Sequence, residues 1–269
     1  MQHSTSGHDT AKSAVTFREM RTTASGLCLA QEHTRGKGNE IPAIKALLDT
    51  LALKGCIVTI DAIGCQTEIA QKILERGGDY LLAVKDNQQT LASALREFFA
   101  DGEAAGFGTL PVDCYETVEK DHGRIETRRV LWITKLSWLD KKLREHWPKL
   151  AGIGMIERQR EINGKTSTEC AFYIGSQGLT SAAAFARAAR SHWGIENSLH
   201  WVLDVTFRED DCRVRKDHAP HNFAALRKFA LALLRQDTQY PKRSLRSRRK
   251  TAERLPDYRA SLLGLSPRE

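Results

Sequence analysis

No stretch of this chain reaches the roughly 18 consecutive apolar residues that a membrane-spanning helix needs. The opening run, MQHSTSGHDTAKSA, has no apolar core and does not read as a secretory signal. Cysteines stand at 28, 56, 65, 114, 170 and 212, with no CxxC pair among them. That absence argues against a zinc site or a disulfide frame, and for free thiols in a reducing cytosol. No internal repeat is present, and no low-complexity segment beyond one basic stretch. What is there is ordinary for a soluble globular protein: 269 residues, 41% hydrophobic and 28% charged. The length suits one large domain or two small ones.

Charge is unbalanced. The net +8 fits a polyanionic partner. Its densest stretch is PKRSLRSRRKTAER, residues 241–254, which offers Arg246, Arg248, Arg249 and Lys250. Two readings stand: a solvated, partly disordered tail, or an arm that contacts phosphates. A second group, DHGRIETRR, supplies His122, Arg124 and Arg128 as further candidate phosphate contacts.

The patterning along the chain predicts an α/β protein. Residues 13–35 read as two strand-like stretches around a TASG turn. Residues 39–53 read as a helix, capped by Asn39 with Pro42 in its first turn. CIVTID (56–61) is a short β-branched strand ending in an aspartate, and DYLLAVKDN (79–87) is a second buried strand. Helices are predicted at 66–78 and 88–104. This alternation implies a parallel sheet covered by helices, with chemistry at the carboxyl ends of its strands. Asp61 is at such an end. It can instead cap the following helix, although Thr67 is closer to that helix start. Asp86 reads as a turn residue beside Asn87.

The pattern then divides the chain. Residues 13–110 form the first part of the core. Residues 111–176 switch to alternation, with an Asn-Gly hairpin signal at 163–164, and read as a β-rich insertion. Residues 177–236 are helical, with Phe223, Leu226, Ala230 and Leu233 as the expected core stripe of the last helix, and 237–269 form the basic tail.

SHWGIENSLHW (191–201) poses the chemical question. Trp193, Glu196, His200, Leu203 and Phe207 share one helical face, so a carboxylate sits within an apolar stripe. Such a carboxylate must be paired, protonated or bound to a metal. Glu196 either pairs with Arg190 or a distant Lys, or the helix docks it on the sheet near Asp61. Two carboxylates brought together there need Mg²⁺ or Mn²⁺, cations that take oxygen ligands. Such ions support in-line phosphoryl displacement, and a basic chain supplies the nucleic acid for it.

Four runs carry a family resemblance: IVTIDAIGCQTEIAQKI, GGDYLLAVKDNQ, HGRIETR, and HWGIENSLHWVLDVTFREDDCRVRKDHAPHNFAALRKFALALLR. In these runs the chain resembles insertion-sequence transposases of the ISAs type, the H-repeat-associated proteins, from about Ser13 to Arg235. The resemblance implies a ribonuclease-H-like fold with a DDE triad of metal ligands. Asp61 then matches the second carboxylate and Glu196 the third, with the β-rich insertion between them. It implies cleavage of DNA at transposon ends, attack on target DNA, and a bacterial cytoplasmic or nucleoid location. Where the superfamily places a Tyr-Arg-Glu-Lys pattern, this chain has Ala189, His192, Glu196 and Leu203, and Arg190 and His192 remain candidate phosphate contacts.

One departure stands out. The family's first aspartate lies in a strand-like segment ahead of the stretch that matches Ser13 onward, and no such segment is present. Asp9 is the sole nearby aspartate, and its polar surroundings do not suit a buried strand. The expectation is therefore a chain lacking the first core strand, an N-terminally truncated transposase with little or no strand transfer by itself. The alternative is a catalytically dead, DNA-binding remnant that co-assembles with itself or with a full-length transposase.

Overall fold

The structure is a computed structural model. It describes residues 16–21, 28–34, 39–121, 123–195 and 199–265. Asp9, the TASG turn, His122 and Glu196 lie outside the described residues.

The core is a mixed six-stranded sheet. Its strands are β3 (Ile57–Ile60), β4 (Asp79–Val84), β5 (Asp113–Asp121), β6 (Arg124–Ile133), β7 (Gly152–Ile162) and β8 (Lys165–Gly175), in the spatial order β3-β4-β8-β7-β6-β5. Only β3 and β4 run parallel, from Ile57 against Asp79 to Ile60 against Leu82; every other pairing is antiparallel. The expected parallel sheet is thus confined to one pair. The expected insertion, 111–176, continues the same sheet, because β8 pairs directly with β4, Leu81 against Gly175 through Val84 against Phe172. The hairpin signal at 163–164 is where β7 turns into β8. Asn163 and Gly164 both take positive φ, 52° and 74°, the backbone that a tight two-residue hairpin demands.

Alternation along the strands feeds two cores. Tyr80, Leu82 and Val84 point to one face, which α1 (Glu40–Thr50), α2 (Thr67–Glu75) and α3 (Gln89–Ala105) cover. Leu81 and Ala83 point to the other, where α5 (Ala182–Ile195) packs through Phe185 and Ala189. The strands β1 (Thr16–Arg21) and β2 (Cys28–Thr34) form a separate antiparallel pair against α1. Asn39 makes no side-chain cap bond for α1, and α2 begins at Thr67 itself with Gln66 in the cap position. Among the described residues no cysteine forms a disulfide. Among the described residues no helix is long and apolar enough to cross a membrane.

The C-terminal helices correct two expectations. In α7 (Ala219–Gln236) the buried face is Ala224, Lys228, Leu231 and Leu234, not the expected stripe. Phe223 and Leu226 are 45% and 60% exposed. Both rows have helical spacing, and the helix turns inward the row containing Lys228, whose ammonium donates to Gln31 Oε1 of β2 at 2.6 Å. Nor is 237–269 simply a solvated tail: it holds α8 (Leu245–Arg254) and α9 (Pro256–Leu262). Buried Arg248 ties them to α7, donating to the carbonyls of Leu234 and Pro241, each at 2.8 Å. The Tyr258 hydroxyl donates to Asp237 at 2.8 Å, and burial together with that carboxylate pushes the phenol up to about 12.

Candidate active site

Asp61 follows the last residue of β3 and enters the short 3-10 turn Ala62–Gly64. Its backbone carbonyl accepts from Gly64 N at 2.8 Å, while its carboxylate makes no cap bond. The capping role for Asp61 is therefore excluded, and its side chain, 53% exposed, faces the mouth of the sheet. The turn is tight enough to require glycine, since a Cβ at Gly64 would run into the Ile60 side chain. The loop after β4 braces it: Asn87 Nδ2 donates to Ala62 O at 2.6 Å and Gln88 Nε2 to Cys65 O at 2.9 Å. Asp86 serves that loop as a turn residue and is paired with Arg96 at 2.7 Å.

The helix α5 crosses the opposite face of the sheet. Its free N–H groups find acceptors in Ser181 Oγ, which takes Ala184 N at 3.2 Å, and in the Asp113 carboxylate, which takes Ala182 N at 2.8 Å. Phe185 anchors it against Trp132 and Tyr173, with ring centroids 5.2 and 5.1 Å away. Two turns on, His192 Nδ1 lies 3.2 Å from Thr59 Oγ1, and Nε2 lies 3.9 Å from Asp61 Oδ1. The next residue, Trp193, donates from Nε1 to the Tyr173 hydroxyl at 3.5 Å. Burial raises the Tyr173 phenol, and the nearby Asp61 charge adds to the effect. Thr59 and Tyr173 were not foreseen. Thr59 was findable, because it precedes Asp61 by two residues and so shares its strand face; the contact from Tyr173 depends on sheet register and had no local signal.

The expected phosphate contacts separate. Arg128 pairs with Glu119 at 3.1 Å and with Glu126, and Arg190 pairs with Glu119 at 2.5 Å. Arg190 and then Arg128 hold the Glu119 carboxyl below its ordinary range. Burial opposes ionisation of Glu126, yet Arg160, at 2.9 Å, and Arg128 keep it low as well. Arg124 is exposed at the start of β6, and Arg246 and Lys250 are exposed on α8. Arg248 is not available to DNA, because its guanidinium is buried among carbonyls. Arg249 is half-buried, donates to Thr206 O and lies 5.6 Å over the Phe207 ring. Trp193, expected on an apolar stripe with Glu196, is 49% exposed. His192 faces Asp61 and Thr59.

Asp61 is an oxygen donor at an open strand end, with no Lys or Arg paired to it among the described residues, which suits a hard divalent cation. Among the described residues no group of three His, Cys, Asp or Glu converges.

A family model described as "Transposase DDE domain" matches residues 20–233. The chain is 38% identical over 247 residues to "Putative protein YbfL" of Escherichia coli (strain K12), covering 90% of this chain and 64% of that protein. It is equally similar, with the same coverage, to "H repeat-associated putative transposase YhhI" of the same organism. "Putative transposase YncI" of Escherichia coli O157:H7 is 37% identical over 90% of this chain and 61% of that protein. The chain thus spans just under two thirds of the length of these relatives.

Proposed function

This chain belongs to the DDE transposase domain family, and from that premise we propose that it works on the DNA of an insertion sequence through Asp61 and Glu196. The observation that carries the reading is the state of Asp61. Its carboxylate caps nothing, stands at a strand end, and is met by His192 from the helix immediately preceding Glu196 in sequence. Family membership supports a ribonuclease-H-like arrangement for this pair.

Asp61 and Glu196 would hold Mg²⁺ or Mn²⁺. A cation held there would supply charge stabilisation for in-line displacement at phosphorus. The chain's own residues prepare the site. Thr59 holds His192 at 3.2 Å, and His192 in turn stands 3.9 Å from the Asp61 carboxylate, where it would orient that ligand. The exposed cations Arg124, Arg246 and Lys250 draw the phosphate backbone to the molecule, a contribution that falls with salt. His192 therefore acts as a positioning residue in this reading, in place of the phosphate contact expected for it.

A second reading makes the chain a DNA-binding protein without catalysis, which the exposed cations Arg124, Arg246 and Lys250 serve equally well. Mn²⁺-dependent nicking of DNA carrying the element's terminal repeats separates the two. The catalytic reading predicts slow nicking that disappears in both Asp61→Asn and Glu196→Gln. Salt-sensitive binding with no nicking by a folded chain supports the second. Nicking that survives both substitutions contradicts the proposed ligands.

A further inference from the structure

The strands β3 and β4 run parallel with Ile60 against Leu82, so the loops that leave their carboxyl ends lie side by side. The loop after β4 is the short turn Asp86–Gln88, which leads straight into α3. Asparagine so placed is ordinarily a turn former or a helix cap. Here Gln88 occupies the cap position of α3 and makes no side-chain cap bond. Asn87 and Gln88 give their side-chain amides to the neighbouring strand's loop instead. Asn87 Nδ2 donates to Ala62 O at 2.6 Å, and Gln88 Nε2 donates to Cys65 O at 2.9 Å. Ala62 opens the 3-10 turn that Asp61 enters, and Cys65 closes it. The two amides therefore grip that turn at both ends.

The turn's inner side is fixed by packing. Cys65 is fully buried, and Gly64 lies so close to Ile60 that a Cβ would not fit. Its outer side carries Ile63, 38% exposed, and receives the two amides where packing is thin. The donors stand on a firm base. Gln88 N donates to Lys85 O at 2.9 Å, and Arg96 of α3 holds the Asp86 carboxylate at 2.7 Å. Neutral amides suit the task, because they hold carbonyls without placing a charge beside a carboxylate meant for a cation. We infer that Asn87 and Gln88 are positioning residues, which set the backbone from which the Asp61 carboxylate projects. That carboxylate caps nothing and is half exposed, so its aim depends on the backbone beneath it and on His192 beside it. The inference rests on the reading of Asp61 as a cation ligand and adds a second loop to the site.

The test uses Asn87→Asp in the full chain, with Gln88→Ala as a second variant. Asn87→Asp keeps the shape of the side chain and removes the donor, so the Ala62 carbonyl is no longer held. It also adds a negative charge near Asp61, which by attraction alone would tighten a bound cation. Positioning and simple electrostatics therefore predict opposite results. Two readouts are needed: backbone amide exchange at Gly64 and Cys65 without metal, followed by nuclear magnetic resonance, and Mn²⁺ titration followed by electron paramagnetic resonance. In both variants, exchange at these two amides should rise about tenfold while the urea unfolding midpoint stays unchanged. Mn²⁺ binding should weaken about tenfold. Unchanged exchange at both amides overturns the clamp. Faster exchange with Mn²⁺ held as tightly as in the wild type, or more tightly, overturns the positioning role. Mn²⁺ binding that Asp61→Asn does not weaken contradicts the ligand reading instead, and amide exchange alone then decides the clamp.

Discussion

The two faces of the central sheet are built from the same strands and differ in nearly everything else. On one face Tyr80, Leu82 and Val84 meet α1, α2 and α3 in a continuous apolar core. On the other, Leu81 and Ala83 begin a smaller core under α5, which then gives way to tyrosine, tryptophan and arginine and to the aspartate at the strand end. The first face is closed and holds the molecule together; the second is partly open, and Asp61, Thr59 and His192 meet on it. Neighbouring residues of one strand therefore have opposite duties, and period two in the sequence does not say which is which.

Substitutions on each face can break this contrast. Leu82→Ala on the closed face should have the largest effect, a loss of about 2–5 kcal/mol of stability, measured by urea unfolding, because a fully buried leucine leaves a cavity. A loss below about 1 kcal/mol would mean the face is loosely packed. Glu126→Gln should cost less, about 1–2 kcal/mol, since Arg128 and Arg160 lose their shared anion but keep partial access to water. The Glu126 contribution carries a pH signature. Its carboxyl is held below its ordinary value of 4.5, so the stabilisation is present above that value and lost as the solution is acidified through the lower folded value. Acid titration of the wild type and of Glu126→Gln should show a smaller stability loss in the variant below pH ~4; parallel curves would contradict the assignment. Leu226→Ser, on the exposed side of α7, should change stability by no more than about 0.5 kcal/mol, although the amphipathic pattern made it a core position. The smallest structural effect belongs to Asp61→Asn, also within about 0.5 kcal/mol, because the side chain caps nothing and is half exposed.

How far the sequence could be read follows the same division. The strands IVTI and DYLLAV were legible because short apolar runs bounded by polar turns have few alternatives, although β3 is an edge strand with only Val58 buried, and Asn163-Gly164 carried its own hairpin. Asp61 was legible as a strand-end carboxylate. What escaped depended on distant partners. The row of α7 containing Lys228 is inside because Gln31, nearly two hundred positions away, accepts its ammonium. Arg248 reads as a surface cation until Leu234 and Pro241 offer it their carbonyls. The place of His192 beside Thr59 depends on the packing of Phe185, which sets the helix at that height. The joining of β8 to β4, which makes one sheet of core and insertion, is likewise a long-range register that no local pattern announces.

The central claim is that Asp61 and Glu196 form one site on the open face. Electron paramagnetic resonance of Mn²⁺ titrated into the purified chain tests it without requiring turnover. The account predicts bound Mn²⁺ that is lost, or weakened at least about tenfold, in both Asp61→Asn and Glu196→Gln, with unfolding curves unchanged. Mn²⁺ binding that is indifferent to either substitution would contradict it.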